Sequence, residues 1–314
     1  RANVATVVAL LVCLHAAPNF ADKARSRTVL VLGSGGLVGR SLVAWLEDHN
    51  YSVAHVRNRN HIDLRVPGAL DVFNHTDISF CFFLACEVGG SKFIEHRDGN
   101  VQLGIIESNI LIYQVVHPWL VSRGIPFLFT SSYLQGTPNA YGSIKRLGEQ
   151  WIEQLGSLGK ITRLWNVYGY EQVGLKSHVL SDWVHACVFH NKVTSMTDGH
   201  EIRQFINVHD VAAGLGLGME HFEELEMVTD ISSGRWITMR EVAETLKEAV
   251  AAASVPCDLA FASEPAKFRE PVAPNQRSAL YKYWGPQTTL KDGLVDMLNQ
   301  AKRAEAPSKP KVEL

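Results

Sequence analysis

The sequence lacks a net charge of either sign, because 30 Lys and Arg residues face 32 Asp and Glu residues, for a formal charge of −2 at pH 7. Binding along a nucleic acid needs a basic excess that neutralises phosphates, so the composition indicates no nucleic-acid partner. Charged residues make up 20% of the chain and hydrophobic residues 46%, which excludes a disordered chain. The 314 residues suffice for two domains or for one large α/β unit.

Cysteines are few, and no two of them form a CxxC pair. They are Cys13, Cys81, Cys86, Cys187 and Cys257. Their scatter indicates neither a zinc site nor a dense disulfide framework, and it predicts small buried hydrophobic side chains. His185 and His190 have a spacing that does not suit a shared site on one helix face. The sequence therefore predicts no metal site.

Long hydrophobic runs are also lacking, and the apolar stretch near the N-terminus is short. Residues 4–17 read VATVVALLVCLHAA, which is too short to span a hydrocarbon core of about 30 Å. The stretch suits the core of a signal peptide with Arg1 as a basic flank, so a targeting segment is predicted over 1–26, with a structural element as the alternative. The expected localisation is the secretory pathway or another organelle if this is a targeting signal, and otherwise the cytoplasm.

From residue 27 onward, apolar runs alternate with helical patterns. Runs typical of buried strands occupy residues 28–32, 52–56, 78–85 and 125–132. A long helix is predicted over 101–124. Strands alternating with helices predict a doubly wound α/β fold with a parallel sheet over 27–170. Residues 171–304 predict a smaller C-terminal α/β region, with some strands and helices returning to the sheet, and residues 305–314 predict a tail.

The glycine-rich segment GSGGLVG follows the first strand and opens the first helix. Gly33 permits a sharp turn, Gly36 lets the backbone approach a pyrophosphate, and Gly39 permits close packing of helix on strand. The backbone N–H groups of Leu37 and Val38, at the helix N-terminus, are available to anionic oxygens. The segment predicts a Rossmann-like dinucleotide-binding turn, with a plain structural turn as the alternative.

The end of the second strand indicates which dinucleotide binds. The strand is followed by Arg57, Asn58 and Arg59, and it lacks the carboxylate that would accept the free 2′-hydroxyl of NAD. Two guanidinium groups suit a 2′-phosphate, so Arg57 and Arg59 predict NADP, with NAD or a solvated loop as alternatives. Leu84 and Ala85, at the end of the third strand, are predicted to line the same cofactor site.

Tyr141 and Lys145 are four residues apart and share one face of a predicted helix. An ammonium near a phenol favours the phenolate, so Lys145 is expected to lower the pKa of Tyr141 toward the working range of a general acid or base, and to hold the nicotinamide ribose. Ser131, at the end of the preceding apolar strand, is predicted to hydrogen-bond the reacting oxygen. Together these residues predict hydride transfer on a Ser-Tyr-Lys site.

Two later segments carry a family resemblance. RLWNVYG (163–169) and RQFINVHDVAAGL (203–215), with the glycine turn and the Tyr-Lys pair, resemble the extended short-chain dehydrogenase/reductases of the NAD(P)-dependent epimerase/dehydratase family over about residues 28–300. The resemblance implies a nucleotide-sugar substrate, with Asn166 contacting the sugar nucleotide and Arg203 near its diphosphate.

Within that family, the stretch LACEVGGSKFIEHRDGNVQLGIIESN resembles the GDP-L-fucose synthases. This likeness implies NADPH as cofactor and a GDP-sugar as the favoured substrate. It places Arg57 and Arg59 at the 2′-phosphate, and His178 on a catalytic, substrate-binding histidine. It also implies a homodimer formed through the helices around 101–118 and 141–155.

Two departures from the synthase pattern bear on activity. Tyr133 stands where the synthases have a catalytic cysteine, and nine residues separate Ser131 from Tyr141, where the family has a longer loop facing the substrate. The sequence therefore leaves three hypotheses open. The first is a nucleotide-sugar epimerase, dehydratase or reductase, and the second is a catalytically impaired NADP-binding protein that serves as a sensor or scaffold. The third is a small-ketone reductase of the same fold, which Asn166 and Arg203 disfavour.

Overall fold

The computed structural model describes residues 28–154, 156–265, 274 and 276–305. The predicted targeting segment with Cys13, and residues 306–314 of the predicted tail, lie outside the described residues. The strands are β1 (Thr28–Leu32), β2 (Ser52–Val56), β3 (Ile78–Phe83), β4 (Phe127–Ser132), β5 (Gly159–Leu164), β6 (Asn166–Tyr168), β7 (Lys192–Ser195), β8 (Ile202–Arg203), β9 (Phe205–Asn207), β10 (Val228–Ile231), β11 (Ile237–Thr238) and β12 (Asp258–Phe261). The helices are α1 (Leu37–Asp48), α2 (Ser91–Ile94), α3 (Gly99–Ser122), α4 (Ala140–Gln154), α5 (Val179–His190), α6 (Val208–Glu220), α7 (Met239–Ala252) and α8 (Leu290–Glu305).

A six-stranded parallel sheet forms the centre of the molecule. Its order is β2-β1-β3-β4-β5-β10. The strand order reverses between β1 and β3, and ligands of open α/β sheets bind outside the carboxyl ends of the strands at such a point. This confirms the predicted Rossmann-like doubly wound fold.

Strand β1 shows why the sequence forms this sheet, since all four residues after Thr28 are fully buried. Val29 and Val31 pack in one hydrophobic cluster with side chains of α1 and α6. Leu30 and Leu32 pack in a second cluster with side chains of α3 and α4. Successive side chains of a strand point to opposite faces, so the continuous apolar run reflects helices on both faces of the sheet.

Over the described residues, the smaller α/β region contains three two-stranded sheets and three packed helices. The β6–β9 and β7–β12 pairs are parallel, and the β8–β11 pair is antiparallel. Helices α5, α7 and α8 share a hydrophobic cluster that includes Trp183, Leu246 and Leu298. In contrast, β10 joins the central sheet beside β5, and α6 packs on α1. The chain thus returns to the central sheet after residue 170. Within the described ranges, no helix combines the length and apolar character needed to cross a bilayer.

The prediction that the cysteines are simply buried hydrophobic side chains is wrong for two of them. Cys187 and Cys257 form a disulfide, with their Cα atoms 5.0 Å apart. The reason is a long-range strand pair: β7 follows α5 directly and pairs with β12, in the register Lys192↔Asp258. This pairing brings together two cysteines separated by 70 positions. Cys81 is buried as predicted.

Candidate cofactor and active site

The glycine turn after β1 is enclosed by the backbone of two neighbouring strand ends. Gly33 has a φ of +90°, and a Cβ there would lie 2.8 Å from the backbone nitrogen of Ala85. A Cβ on Gly35 would lie 2.6 Å from the carbonyl oxygen of Arg57, and one on Gly39 would collide with the carbonyl oxygen of Gly33. Only glycine fits these positions, so Gly33, Gly35 and Gly39 form a turn whose backbone carries no side chain at these three points, which we call the glycine cradle.

The open side of this cradle fits an anionic dinucleotide. Gly36 is the N-cap of α1, and a Cβ there would make only an ordinary contact, 3.4 Å from the Gly33 oxygen. The first N–H groups of a helix, here those of Leu37 and Val38, have no partner within the helix. The Ser34 hydroxyl is also buried without a hydrogen-bond partner among the described residues. These donors match the oxygens of a pyrophosphate.

The arginines predicted to hold a 2′-phosphate follow β2, beside the cradle. The backbone nitrogen of Gly35 donates to the carbonyl oxygen of Arg57 at 3.1 Å. Arg59 donates to the carboxylate of Glu87 at 2.5 Å, and Lys176 forms an ion pair with the same carboxylate. Glu87 comes from the loop after β3, so a search for acidic residues after β2 does not find it.

Tyr141 and Lys145 are buried on α4, one turn apart. Tyr141 is 8% exposed and Lys145 is 4% exposed. The Lys145 ammonium donates to the carbonyl oxygen of Thr130 at 2.7 Å and lies 5.9 Å from the centroid of the Tyr141 ring. The structure therefore brings the predicted pair to the carboxyl end of β4.

The pKa of Tyr141 contradicts the expectation drawn from the pair. Burial raises the phenol pKa well above its ordinary value, the charge of Cys86 adds to this, and a hydrogen bond with Ser132 opposes it. The predicted lowering of the Tyr141 pKa is wrong in this structure, because burial, the largest influence on this pKa, disfavours the charged phenolate. At neutral pH the Tyr141 phenol keeps its proton.

Two serines end β4, and they differ in their partners. The Ser131 hydroxyl is buried without a partner among the described residues. The Ser132 hydroxyl hydrogen-bonds Tyr141 and accepts from the backbone nitrogen of Leu134 at 3.1 Å. Only Ser131 was predicted to act at the site, because a pair of adjacent serines gives no signal that separates their roles.

Cys86 is a further group at this site that the sequence analysis interpreted only as a small hydrophobic side chain. It packs in the hydrophobic cluster that contains Tyr141. Burial raises the pKa of its thiol, although the ammonium of Lys145 opposes that shift. Its position directly after Ala85, at a strand end predicted to line the cofactor, is the signal that could have found it.

On the substrate side, Asn166 is held by an aromatic stack. Its Nδ2 donates to the Tyr133 hydroxyl at 3.1 Å, and the Tyr133 ring stacks on Trp165 with centroids 4.7 Å apart. Trp165 in turn donates from Nε1 to Asp230 at 3.0 Å. The Asn166 Oδ1 is buried without a partner in the described part of the chain. This oxygen is therefore available to a ligand hydroxyl.

Arg203 lies in β8, directly before the strand that pairs with the strand of Asn166. Asn166, in β6, is in register with Phe205 of β9, two residues after Arg203. Arg203 itself pairs with Ile237 of β11, and its guanidinium donates to the carbonyl oxygen of Ile202 at 2.9 Å. The two predicted substrate-binding residues thus lie in different two-stranded sheets that are joined through consecutive strands.

His178 lies at the N-cap of α5, in the smaller region. Its Nδ1 and backbone nitrogen both contact Oε1 of Glu171, at 2.7 and 2.6 Å. Burial alone would raise the pKa of Glu171, but the hydrogen bonds and charge of His178 outweigh it and lower the pKa below its ordinary value. Among the described residues, no hydrogen bond joins His178 to Tyr141 or Ser131, so the structure does not bring it into direct contact with them.

Potential metal ligands do not cluster in the part of the chain that the structure describes, where no group of three or more His, Cys, Asp and Glu side chains could hold an ion.

Several solved structures share this fold. A UDP-glucose 4-epimerase from Thermotoga maritima, solved with UDP-glucose, is 20% identical, with a TM-score of 0.73 over 88% of this chain and 99% of that chain. A GDP-L-fucose synthetase from Naegleria fowleri is 16% identical, with a TM-score of 0.73 over 89% and 93%. A GDP-mannoheptose C4 reductase from Campylobacter jejuni, with NADP bound, is 18% identical, with a TM-score of 0.72 over 88% and 98%.

Sequence comparison identifies the family. Among curated proteins, none matches this sequence. The model of the NAD dependent epimerase/dehydratase family matches residues 29–231, which include the glycine cradle, Tyr141, Lys145 and Asn166. The chain therefore belongs to the NAD dependent epimerase/dehydratase family.

Proposed function

We propose that the protein is an NADP-dependent oxidoreductase or epimerase that acts on a nucleotide-linked sugar. One observation carries this proposal: the loop after β3 contacts both the glycine cradle and the side chains around Tyr141. Ala85 closes the glycine cradle, and the adjacent Cys86 packs in the cluster of Tyr141. A dinucleotide lying in the cradle would therefore extend toward the buried phenol.

The cofactor would be held by the cradle and by the strand ends around it. Its pyrophosphate would lie at Gly36, Leu37 and Val38, with Leu84 and Ala85 along one side. Arg57 and Arg59 would take a 2′-phosphate, which favours NADPH over NADH, with NADH as the alternative. When bound, this cofactor supplies or accepts a hydride at the nicotinamide ring.

The Tyr141 phenol would move the proton that accompanies the hydride. In the reducing direction it would donate a proton to a carbonyl oxygen, and in the opposite direction it would act as the phenolate, which burial disfavours. Lys145 would hold the nicotinamide ribose and stabilise the phenolate that forms, while Ser131 or Ser132 would orient the reacting oxygen.

The substrate would lie between the carboxyl ends of β4 and β5 and the smaller region. The unpaired Asn166 oxygen would accept a sugar hydroxyl, and Arg203 would pair with the diphosphate. His178, held by Glu171, would contact the sugar from the loop before α5. The resemblance to GDP-L-fucose synthases favours a GDP-sugar.

A homodimer is part of this proposal. Helices α3 and α4 expose the apolar side chains of Leu103, Leu111 and Leu147, which are 51%, 42% and 38% exposed. Large exposed apolar side chains on adjacent helices favour an interface between copies of the chain. Size-exclusion chromatography with light scattering tests this, since Leu103→Glu with Leu147→Glu is expected to give a monomer.

We also propose an oxidising compartment, with the secretory pathway as the expected localisation. The Cys187–Cys257 disulfide supports this, because disulfides persist in secreted and luminal proteins and are rare in the cytosol. The apolar segment at residues 4–17 fits the same compartment as a targeting signal. Fractionation of cells that express the full-length protein, with alkylation of free thiols before lysis, tests both points.

The function itself is tested by a ligand screen with two measurements. GDP-, UDP- and dTDP-sugars are added with NADPH, and thermal shift and hydride exchange are measured. We expect one nucleotide class to raise the melting temperature and to support hydride exchange. NADPH binding without hydride exchange for any of the sugars would instead favour a sensor or scaffold.

A further inference from the structure

Glu87 is a carboxylate that the fold holds rigidly beside the arginines after β2. Its side chain is 14% exposed and is paired with Arg59 and Lys176. Its backbone nitrogen donates to Oδ1 of Asn109 at 2.9 Å, and its carbonyl oxygen accepts from Nδ2 of the same residue at 3.1 Å. Asn109 is fully buried, so Glu87 sits on a fixed support.

The position of Glu87 corresponds to the adenosine ribose of the cofactor. In Rossmann-like sheets, the ribose lies at the carboxyl end of β2, where an acidic residue binds the 2′-hydroxyl of NAD. In this chain, Arg57 and Arg59 occupy that end. The fold instead delivers a carboxylate from the loop after β3, and this carboxylate lies 2.5 Å from the Arg59 guanidinium.

We propose that Glu87 sets the discrimination between NADPH and NADH. A 2′-phosphate has to displace the Glu87 carboxylate from Arg59, which costs the charge-assisted pair and adds repulsion between two anions. A 2′-hydroxyl can donate to Glu87 while the Arg59 pair stays intact. Glu87 therefore lowers the preference for NADPH that two arginines alone would give. This inference rests on the nicotinamide cofactor of the proposed function.

Lys176 makes this displacement feasible. It approaches Glu87 from the loop that carries His178, and that loop is pressed against Gly89, where a Cβ would lie 2.8 Å from the Cα of Lys176. When Arg59 turns to a phosphate, the Glu87 carboxylate keeps Lys176 as its partner. A largely buried carboxylate is thus never left without a cation, a state that is strongly unfavourable.

The experiment measures the Kd of NADPH and of NADH for the full-length wild type, for Glu87→Gln and for Glu244→Gln. Glu244 is the matched control, because it forms an exposed ion pair with Lys247 on α7. We expect Glu87→Gln to bind NADPH about tenfold more tightly, with NADH binding unchanged or weakened. The control variant should match the wild type for both cofactors. The melting temperatures of all three proteins establish that they are folded.

A double variant tests whether Glu87 changes NADPH affinity through Arg59. In an Arg59→Ala background, the gain in NADPH affinity from Glu87→Gln should shrink, because only the repulsion between the carboxylate and the phosphate remains, and the gain in the single variant should fall as salt rises. Equal changes for both cofactors, or a gain that Arg59→Ala leaves undiminished, would overturn the proposal. If the wild type binds neither cofactor, the proposed function fails and this inference with it. If the wild type binds both and transfers hydride while Glu87→Gln changes nothing, this inference alone fails.

Discussion

The cofactor side and the substrate side of the cleft are built in different ways. Around Gly33, backbone packs on backbone, and the groups left open are the first N–H groups of α1 and the buried Ser34 hydroxyl. Around Asn166, side chains form the site, and two buried oxygens, on Asn166 and Ser131, have no partner in the described part of the chain. The two sides therefore differ in what builds them, since packed backbone shapes the cofactor side and side chains shape the substrate side.

Gly39→Ala should have the largest effect, because it breaks the backbone packing of the cofactor side. The new Cβ would collide with the Gly33 carbonyl oxygen, so we expect a loss of about 3 kcal/mol or more of unfolding free energy and loss of cofactor binding. Denaturant unfolding measures this. Gly104→Ala on α3 is the control, since its Cβ would meet nothing within 4 Å, and it should be neutral or stabilising by up to about 1 kcal/mol. Equal effects of the two substitutions would contradict the packing argument.

Tyr141→Phe should impair the chemical step while leaving cofactor binding at the glycine cradle intact. The phenol supplies the proton, so turnover should fall by about 10²- to 10⁴-fold, with the NADPH Kd nearly unchanged. Steady-state rates and a binding titration measure the two quantities. Tyr283→Phe, at an exposed position, is the control and should retain activity. Retained turnover in Tyr141→Phe would remove the assigned role.

Removal of the disulfide should weaken the smaller region more than the cradle. Cys187→Ser with Cys257→Ser should cost about 2–4 kcal/mol of unfolding free energy, because the bond closes a long loop of the unfolded chain. Melting temperatures with and without reductant measure the loss, and reductant should no longer affect the double variant. A melting temperature of the wild type that is indifferent to reductant would argue against the bond.

The smallest effect concerns the support of His178. The pKa of Glu171 is lower in the folded protein than its ordinary value of 4.5, so the carboxylate contributes stability above about pH 4.5 that is lost as pH falls through the folded pKa. Melting temperatures between neutral and acidic pH should therefore fall less for Glu171→Gln than for wild type in that window. Parallel curves for the two proteins would show that the pair does not contribute.

The sequence predicted the central fold well because its signals are local. The apolar runs at 28–32 and 52–56 coincide with β1 and β2, and the long helix lies at Gly99–Ser122, close to the predicted 101–124. The strands predicted over 78–85 and 125–132 are shorter in the structure, at Ile78–Phe83 and Phe127–Ser132. Burial on both faces determines these elements. The apolar composition of a segment and the spacing of its apolar residues indicate that burial.

The features that the sequence did not predict depend on distant segments. Glu87 meets Lys176 across 89 positions, and Cys187 meets Cys257 across 70. The raised pKa of Tyr141 follows from burial, which the spacing of Tyr141 and Lys145 does not contain. His178, Arg57, Arg59, Ser131, Asn166 and Arg203 keep their assigned roles as predictions.

The return of the chain to the central sheet limits how proteins of this kind can be recombined. β10 completes the sheet edge beside β5, and the Lys160 ammonium binds the carbonyl oxygens of Phe222 and Leu225 from the segment that leads into β10. A chimera cut after residue 170 would leave a buried lysine and an open strand edge on one fragment. Leu280 and Trp284 also pack in the cluster of Val29 and Val31. Exchange of substrate preference between relatives should therefore keep residues 205–231 and 279–284 with the cofactor half, and replace the remaining segments of the smaller region separately.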